Sequence, residues 1–418
     1  MKLESLKLFR EHAEARRLAL VFAVVYFAQG MWYLPNLSIT FLLKDSFGLS
    51  AAQTATFFAI TTVPWLIKPL YGLISDFAPL WGQRRRSYFI LTSGTAALMG
   101  LVLTHPNLHT YWALAAFFTF MGLGLAFTDV LTDALMVENG QRLGLTGSFQ
   151  AVQWAAISLA SIVVGIGGGW LAERKLLSLT FLIAAIFPLV TLAMGIFVIR
   201  EPGGAGDERG FRETWDAIGG AIKSRTLWVV AGFIFFYNFS PSFGPALVYY
   251  GTDILRFSKL FIGTLDSLSY ASGIVGSFCY FAFSKSFPFK YLIHFAIAAG
   301  VVSTLAYLGY RSEASAIALS LIFGAVAMFI QLTFLDLAAK ACPKRVEATF
   351  FALLMSIYNG AVQISQITGG WLYDQLGFTP LIFISAGFTA ICWFLVPFLK
   401  LDNHPRAHDS AQTERTVP

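Results

Sequence analysis

Polar and apolar positions along this chain fall into long blocks, without the short alternation of half-buried strands. Mostly apolar runs of about 20 residues, long enough to cross a bilayer as helices, lie near 18–43, 52–74, 88–104, 111–135, 148–171 and 177–199. They resume near 226–250, 260–283, 290–309, 314–337, 347–371 and 378–399. The pattern predicts an all-α integral membrane protein with twelve transmembrane helices in two six-helix halves. The organisation expected is an N-terminal segment 1–17, a half 18–199, a polar linker 200–225, a second half 226–400 and a polar tail 401–418. Proline interrupts the first run at Pro35 and the seventh at Pro241 and Pro245. Such breaks free backbone groups, which inside a membrane must face protein or a wet cavity.

Composition agrees and narrows the class. Hydrophobic residues make up 56% of the chain and charged residues only 12%, with a mean hydropathy of +0.66. Soluble domains are about a quarter charged, so a soluble enzyme, a disordered chain and a disulfide scaffold are excluded. Cys279, Cys342 and Cys392 have neither metal-ligand spacing nor an even-numbered framework. A net charge of +6 is no case for nucleic-acid binding; in a membrane protein the placement of charges matters more than their sum. With the N-terminus cytoplasmic, 22 of the 29 lysines and arginines fall on that side, six fall on the other, and Lys68 lies within a span. This positive-inside bias places both termini in the cytoplasm. The first apolar run lacks a small-residue cleavage pattern and reads as a retained span. With no transit peptide in evidence, a bacterial inner membrane fits best. No metalloprotease, phosphate-loop or nucleophile-elbow signature is present, so no enzyme activity and no cofactor are expected.

The two halves echo each other. Gly168-Gly169-Trp170-Leu171 recurs as Gly369-Gly370-Trp371-Leu372, and the aspartate and serine of Lys44-Asp45-Ser46-Phe47-Gly48-Leu49-Ser50 recur in Thr252-Asp253-Ile254-Leu255-Arg256-Phe257-Ser258. Two similar halves with interrupted helices at matching places resemble the major facilitator fold, in which one half rocks against the other around a midplane site.

The stretch Gly72-Leu73-Ile74-Ser75-Asp76, followed by Arg84-Arg85-Arg86, is similar to the facilitator signature between spans 2 and 3. Gly72 would let helices approach closely, and Asp76 at a helix end would latch onto a helix terminus or the arginines; the plainer reading makes the arginines a topology anchor. Trp65-Leu66-Ile67-Lys68-Pro69-Leu70-Tyr71-Gly72 resembles the folate-biopterin transporter (BT1) family. So do Thr128-Asp129-Val130-Leu131-Thr132-Asp133-Ala134-Leu135-Met136-Val137-Glu138 and Gly147-Ser148-Phe149-Gln150-Ala151-Val152-Gln153-Trp154. The resemblance is dense over 29–172 and thinner beyond. It implies transport of folates or related pteridines by alternating access, coupled to protons. Another organic anion or sugar carried on the same fold is the alternative, and a membrane-embedded sensor or enzyme is the alternative from a different class.

Residue chemistry supplies candidates. Lys68 is a costly mid-span charge, suited to a ligand carboxylate. Asp129 and Asp133 are i, i+4 on one face, so one would have a raised affinity for a proton, as coupling requires. Asp129 also suits a pterin's paired donors, unless Lys68–Asp129 is simply a structural ion pair. Trp32, Tyr33 and Trp154 offer stacking faces, and Gln150, Asn359 and Gln363 polar contacts. Asp133, Glu138 and Asp336 are expected as latch partners with Gly72, Asp76 and Arg84–Arg86. The expected partners are therefore a small-molecule substrate, a proton and the lipid bilayer, with the protein acting as a monomer.

Overall fold

The computed structural model describes residues 13–83, 85–199, 219–220, 222–342 and 347–399. The expectations for Arg84, the Asp76 side chain, most of the linker and the polar tail fall outside them. The described chain forms twelve helical columns. In the first half they are α1 (Ala13–Met31, continued by Pro35–Phe41 and a π-turn Leu42–Ser46), α2 (Ala51–Leu66 and Lys68–Phe77), α3 (Arg86–Val102), α4 (Tyr111–Leu143), α5 (Thr146–Glu173) and α6 (Leu177–Phe197). In the second they are α7 (Arg225–Asn238, Gly244–Tyr249 and a π-turn Tyr250–Ile254), α8 (Lys259–Ser286), α9 (Phe289–Ala306), α10 (Glu313–Ala341), α11 (Glu347–Leu376) and α12 (Phe378–Ile391, ending in a 3-10 turn Cys392–Leu399). Among the described residues, nine columns are long and apolar enough to cross a membrane; α3, the interrupted α7 and α8 are the others. Twelve columns in two six-helix halves, with α1 and α7 interrupted at matching places, give the protein the multi-pass architecture expected of the major facilitator fold.

Local chemistry explains the boundaries. Ser50 and Ser258, the serines that recur between the halves, each cap the helix that follows: their hydroxyls accept the N–H groups of Gln53 (3.4 Å) and Phe261 (3.1 Å). The breaks at Pro35 and at Pro241 and Pro245 are present, and protein satisfies the groups they free. In α7, Ser365 donates to the Ser240 carbonyl at 2.8 Å, while Ser240 Oγ donates to the Ser385 carbonyl at 2.8 Å. A further break, in α2 at Ile67, was not among those the prolines of spans 1 and 7 led us to expect. Pro69 has no N–H and its ring crowds the carbonyl four residues back, and Tyr71 donates to the carbonyl of Pro64 at 3.0 Å.

The largest apolar cluster is built from residues between Ala15 and Ile199, and the second from residues between Leu227 and Leu399. The halves meet along α5–α8 and α2–α11. Small residues make the first seam possible: a Cβ on Gly165 would lie 2.6 Å from the Gly263 carbonyl oxygen.

Candidate functional site

The break at Ile67 makes Lys68 the first residue of a new helical segment in the middle of α2. Its ammonium lies 2.5 Å from Asp129 Oδ2 on α4 and 4.7 Å from the centre of the Trp65 ring. The Asp129 side chain is 2% exposed, and its second oxygen is buried with no hydrogen-bond partner. One carboxylate oxygen is thus held by the lysine while the other is available to a donor. The positive end of the Lys68–Phe77 segment adds to the lysine's charge at the same point.

Asp133 lies one turn further along α4. It accepts hydrogen bonds from the Tyr26 hydroxyl of α1 and from Gln153 Nε2 of α5 at 3.3 Å. Two carboxylates and one lysine therefore share the interior of the first half, an arrangement one positive charge short of balance. This corrects the expectation that Asp133 serves the arginine latch. Of the expected arginine partners, Glu138 is the one that meets Arg85, at 2.9 Å, and Arg85 also bonds Ser75 Oγ at 2.7 Å. Arg86 donates to the carbonyls of Gly195 (3.2 Å) and Ile196 (2.8 Å), so it caps the C-terminal end of α6. Asp336 bonds Tyr280 at 2.9 Å and Lys340 at 2.7 Å. Gly72 is not a point of close approach: a Cβ there would meet only Val130 at 3.8 Å, an ordinary contact.

The aromatic candidates divide. Trp32 is 2% exposed and stacks on Phe118, with Trp65 and Tyr33 around it. Its ring belongs to the core of the first half, which corrects its reading as a stacking face for a ligand. Tyr33 is 43% exposed and in electrostatic range of Asp129 in its own half and of Tyr270 and Tyr358 in the other. It therefore borders the space between the halves. Trp154 is 39% exposed, and Gln150, one turn away, is exposed as well. Both continue, at helical spacing, the α5 face that meets α8 at Gly165 and Gly169. Asn359 and Gln363 are half-buried on α11, and Gln363 Oε1 has no partner.

The sequence reading missed a second constellation. At the end of the bundle opposite Ala13, Lys44 pairs with Asp253, and Lys259 pairs with Asp45 at 2.6 Å. Asp374 accepts the N–H groups of Ala51 (3.2 Å) and Ala52 (3.1 Å), and Glu173 accepts those of Lys259 (2.8 Å) and Leu260 (3.3 Å). Every one of these contacts crosses from one half to the other. Tyr249 joins them, donating to the Leu49 carbonyl at 2.6 Å. The far end is closed. The signal for it lay in the recurrence of Asp45 and Ser50 as Asp253 and Ser258.

Solved structures share this architecture. A POT family transporter in complex with 5-aminolevulinic acid superposes with a TM-score of 0.72 at 15% identity, covering 92% of this chain and 97% of its own. A D-xylose-proton symporter gives 0.73 at 14% identity, covering 94% and 99%. Among sequences, the "Folate-biopterin transporter" of Synechocystis sp. is 32% identical over 415 residues, 93% of this chain and 83% of that protein. "Folate transporter 1" of Plasmodium falciparum is 26% identical, over 90% of this chain and 75% of that one. "Probable folate-biopterin transporter 4" of Arabidopsis thaliana is 24% identical, over 85% and 88%. The BT1 family model matches residues 29–394, which include every residue of the buried charge cluster and of the far-end closure, and the chain belongs to the BT1 family.

Proposed function

We propose that the protein is a secondary transporter of folate- or biopterin-type pteridines, driven by a proton gradient and working by alternating access of its two halves. The observation that carries the reading is the Lys68–Asp129 pair at the break in α2. A mid-membrane ion pair with one buried oxygen unsatisfied is costly to keep unless something binds there. Lys68 suits an anionic group and Asp129 Oδ1 a donor, with Tyr33 beside them to border a flat ring. The names of the relatives in Synechocystis and Plasmodium falciparum supply the substrate class.

The proton is assigned to the Asp129–Asp133 pair, whose negative charge exceeds that of the one lysine beside it. Residues 18–199 and 226–400 are the rocking halves. Arg85–Glu138 and Asp336–Lys340 brace each half at the end that bears the termini, and the far-end contacts close the opposite exit. The chain works as a monomer in a bacterial inner membrane with both termini cytoplasmic, in keeping with its lysine and arginine distribution. Liposomes carrying the purified protein are expected to take up labelled folate or biopterin with saturation. Failure across a full panel of pteridines would sink the substrate assignment.

A further inference from the structure

Among the intramembrane acids of the described residues, Asp266 is the one with neither a hydrogen bond nor an ion pair. Asp129 has Lys68, Asp133 has Tyr26 and Gln153, and Asp336 has Tyr280 and Lys340. Asp266 lies two turns into α8 from the closed end, and its side chain is exposed. An exposed acid on a membrane helix faces either lipid or an internal space, and its neighbours decide between them.

Ser267 fixes the orientation of α8. Its hydroxyl donates to the Ile162 carbonyl at 2.7 Å and accepts the Ile166 N–H at 2.8 Å, so it lies in the seam with α5. One residue back is a rotation of about 100°, which turns Asp266 out of that seam. Tyr270, one turn on from Asp266 and on the same face, is in electrostatic range of Asp266 and of Tyr358 on α11. Tyr33 on α1 is in range of Tyr270 and Tyr358 as well as Asp129. Tyr307 and Tyr310, beyond α9, are in range of Asp266. Gly273 and Gly276 turn the next face of α8 to α10, where a Cβ on Gly276 would lie 2.0 Å from the Ala325 carbonyl oxygen, so at 100° per residue Asp266 falls between the α5 and α10 seams, on the protein side of the helix and in range of groups on α1 and α11. Tyr33, in range of both Tyr270 and Asp129, links this face to the Lys68–Asp129 pair.

The two halves differ in chemistry here. The first half offers a cation, while the second offers a carboxylate ringed by tyrosines with no lysine, arginine or histidine paired to it among the described residues. A carboxylate so placed is costly unless a ligand brings donors to it. We propose that Asp266 is a second substrate-binding residue, accepting the paired N–H donors of a 2-amino-pteridine ring while Lys68 holds the ligand's opposite, anionic or polar end. The proposal rests on the pteridine reading above and adds the orientation of the ligand.

The test compares two ligands on the detergent-solubilised full chain: biopterin, and its 2,4-dioxo analogue in which a carbonyl replaces the amino group. Binding is followed by tryptophan fluorescence quenching. The wild type is expected to bind biopterin about tenfold more tightly or better, because the analogue leaves the carboxylate facing a carbonyl in place of a donor. Asp266→Asn loses that preference while its affinity for the analogue stays within about twofold, since only the amino group's charge-assisted bond is removed. Asp266→Ser is the second variant, used should Asn fail to fold by size exclusion and circular dichroism. Retained preference in the variant overturns the role of Asp266 and leaves the pteridine reading standing. An equal loss for both ligands makes Asp266 structural and overturns the proposal too. A wild type that binds neither ligand fails the pteridine reading and the proposal with it.

Discussion

Glu173 Oε2 accepts the backbone N–H of Lys259 at 2.8 Å, so the last residue of α5 caps the first turn of α8 in the opposite half. Asp374, 201 residues later, does the same for Ala51 and Ala52 at the start of α2. Carboxylates at helix N-termini are favourable because they satisfy unpaired N–H groups and meet the positive end of the helix dipole. Here the favourable term exists only while the far end is closed, so it biases the conformational equilibrium rather than the fold.

Losing a cap of this kind costs about 1 kcal/mol, and two lost together shift the equilibrium by roughly tenfold or more. Spin labels at positions 47 and 254 report the opening directly, because those positions flank the Lys44–Asp253 contact. Glu173→Ala with Asp374→Ala is expected to add a longer-distance population in double electron–electron resonance. A distance distribution identical to the wild type would remove the capping residues from the gate.

Lys68 and Asp129 can be separated into structural and binding roles. Removing one partner of a buried pair leaves an uncompensated charge and costs about 3–5 kcal/mol, whereas replacing both by apolar residues is often neutral. Lys68→Ala and Asp129→Asn should each lower the melting temperature and abolish folate binding. The double variant Lys68→Met/Asp129→Leu should recover the melting temperature without recovering binding. Binding restored together with stability would show that the pair serves packing alone.

Most of the architecture could be read from the chain because membrane spans are written in blocks of about 20 residues. The breaks at Pro35 and Pro241 were legible for the same reason, proline having no N–H to give. The Ile67 break was less so, since Lys68 looked like one charge within a continuous helix instead of the start of a new one. Asp133 was misplaced toward the arginines because spacing along α4 gives its face but not the partners that α1 and α5 bring, Tyr26 and Gln153. Trp32 was misread for a related reason: its neighbours Trp65 and Phe118 are 33 and 86 positions away, and only packing shows that they enclose it. The far-end closure was half visible. Asp45 and Asp253 matched, but nothing in either half alone says that each pairs with a lysine of the other.

The α5–α8 seam makes a prediction that separates folding from gating. A Cβ on Gly165 would lie 2.2 Å from Ser267 Oγ and 2.6 Å from the Gly263 carbonyl oxygen, and the backbone atom cannot swing away. Each half keeps its own apolar cluster, so Gly165→Ala should fold and melt near the wild type. It should fail to close at the far end. A Lys44→Cys/Asp253→Cys pair, bridged in the closed state by a short bifunctional maleimide, is expected to lose most of its cross-linking yield in the Gly165→Ala background, and transport should fall with it. Undiminished cross-linking would show that the seam relaxes around the methyl group.

The proposed proton coupling rests on the carboxylates of α4, and Asp133 is the better handle because Asp129 also holds Lys68. The groups facing Asp133 are Tyr26 of α1, Gln153 of α5, Asp129 on its own helix and Lys68 of α2. Asn in its place keeps the shape and can still bond Tyr26, but it cannot gain or lose a proton. In wild-type liposomes an inside-acid gradient should suppress uptake and an outside-acid gradient should drive accumulation above equilibrium. Asp133→Asn should retain exchange of labelled for unlabelled substrate, since exchange needs no net proton movement, and should lose gradient-driven accumulation. If Asp133→Asn still concentrates substrate against a gradient in response to outside acid, the coupling proton resides elsewhere, and the pair on α4 is there only to hold α1, α2 and α5 together.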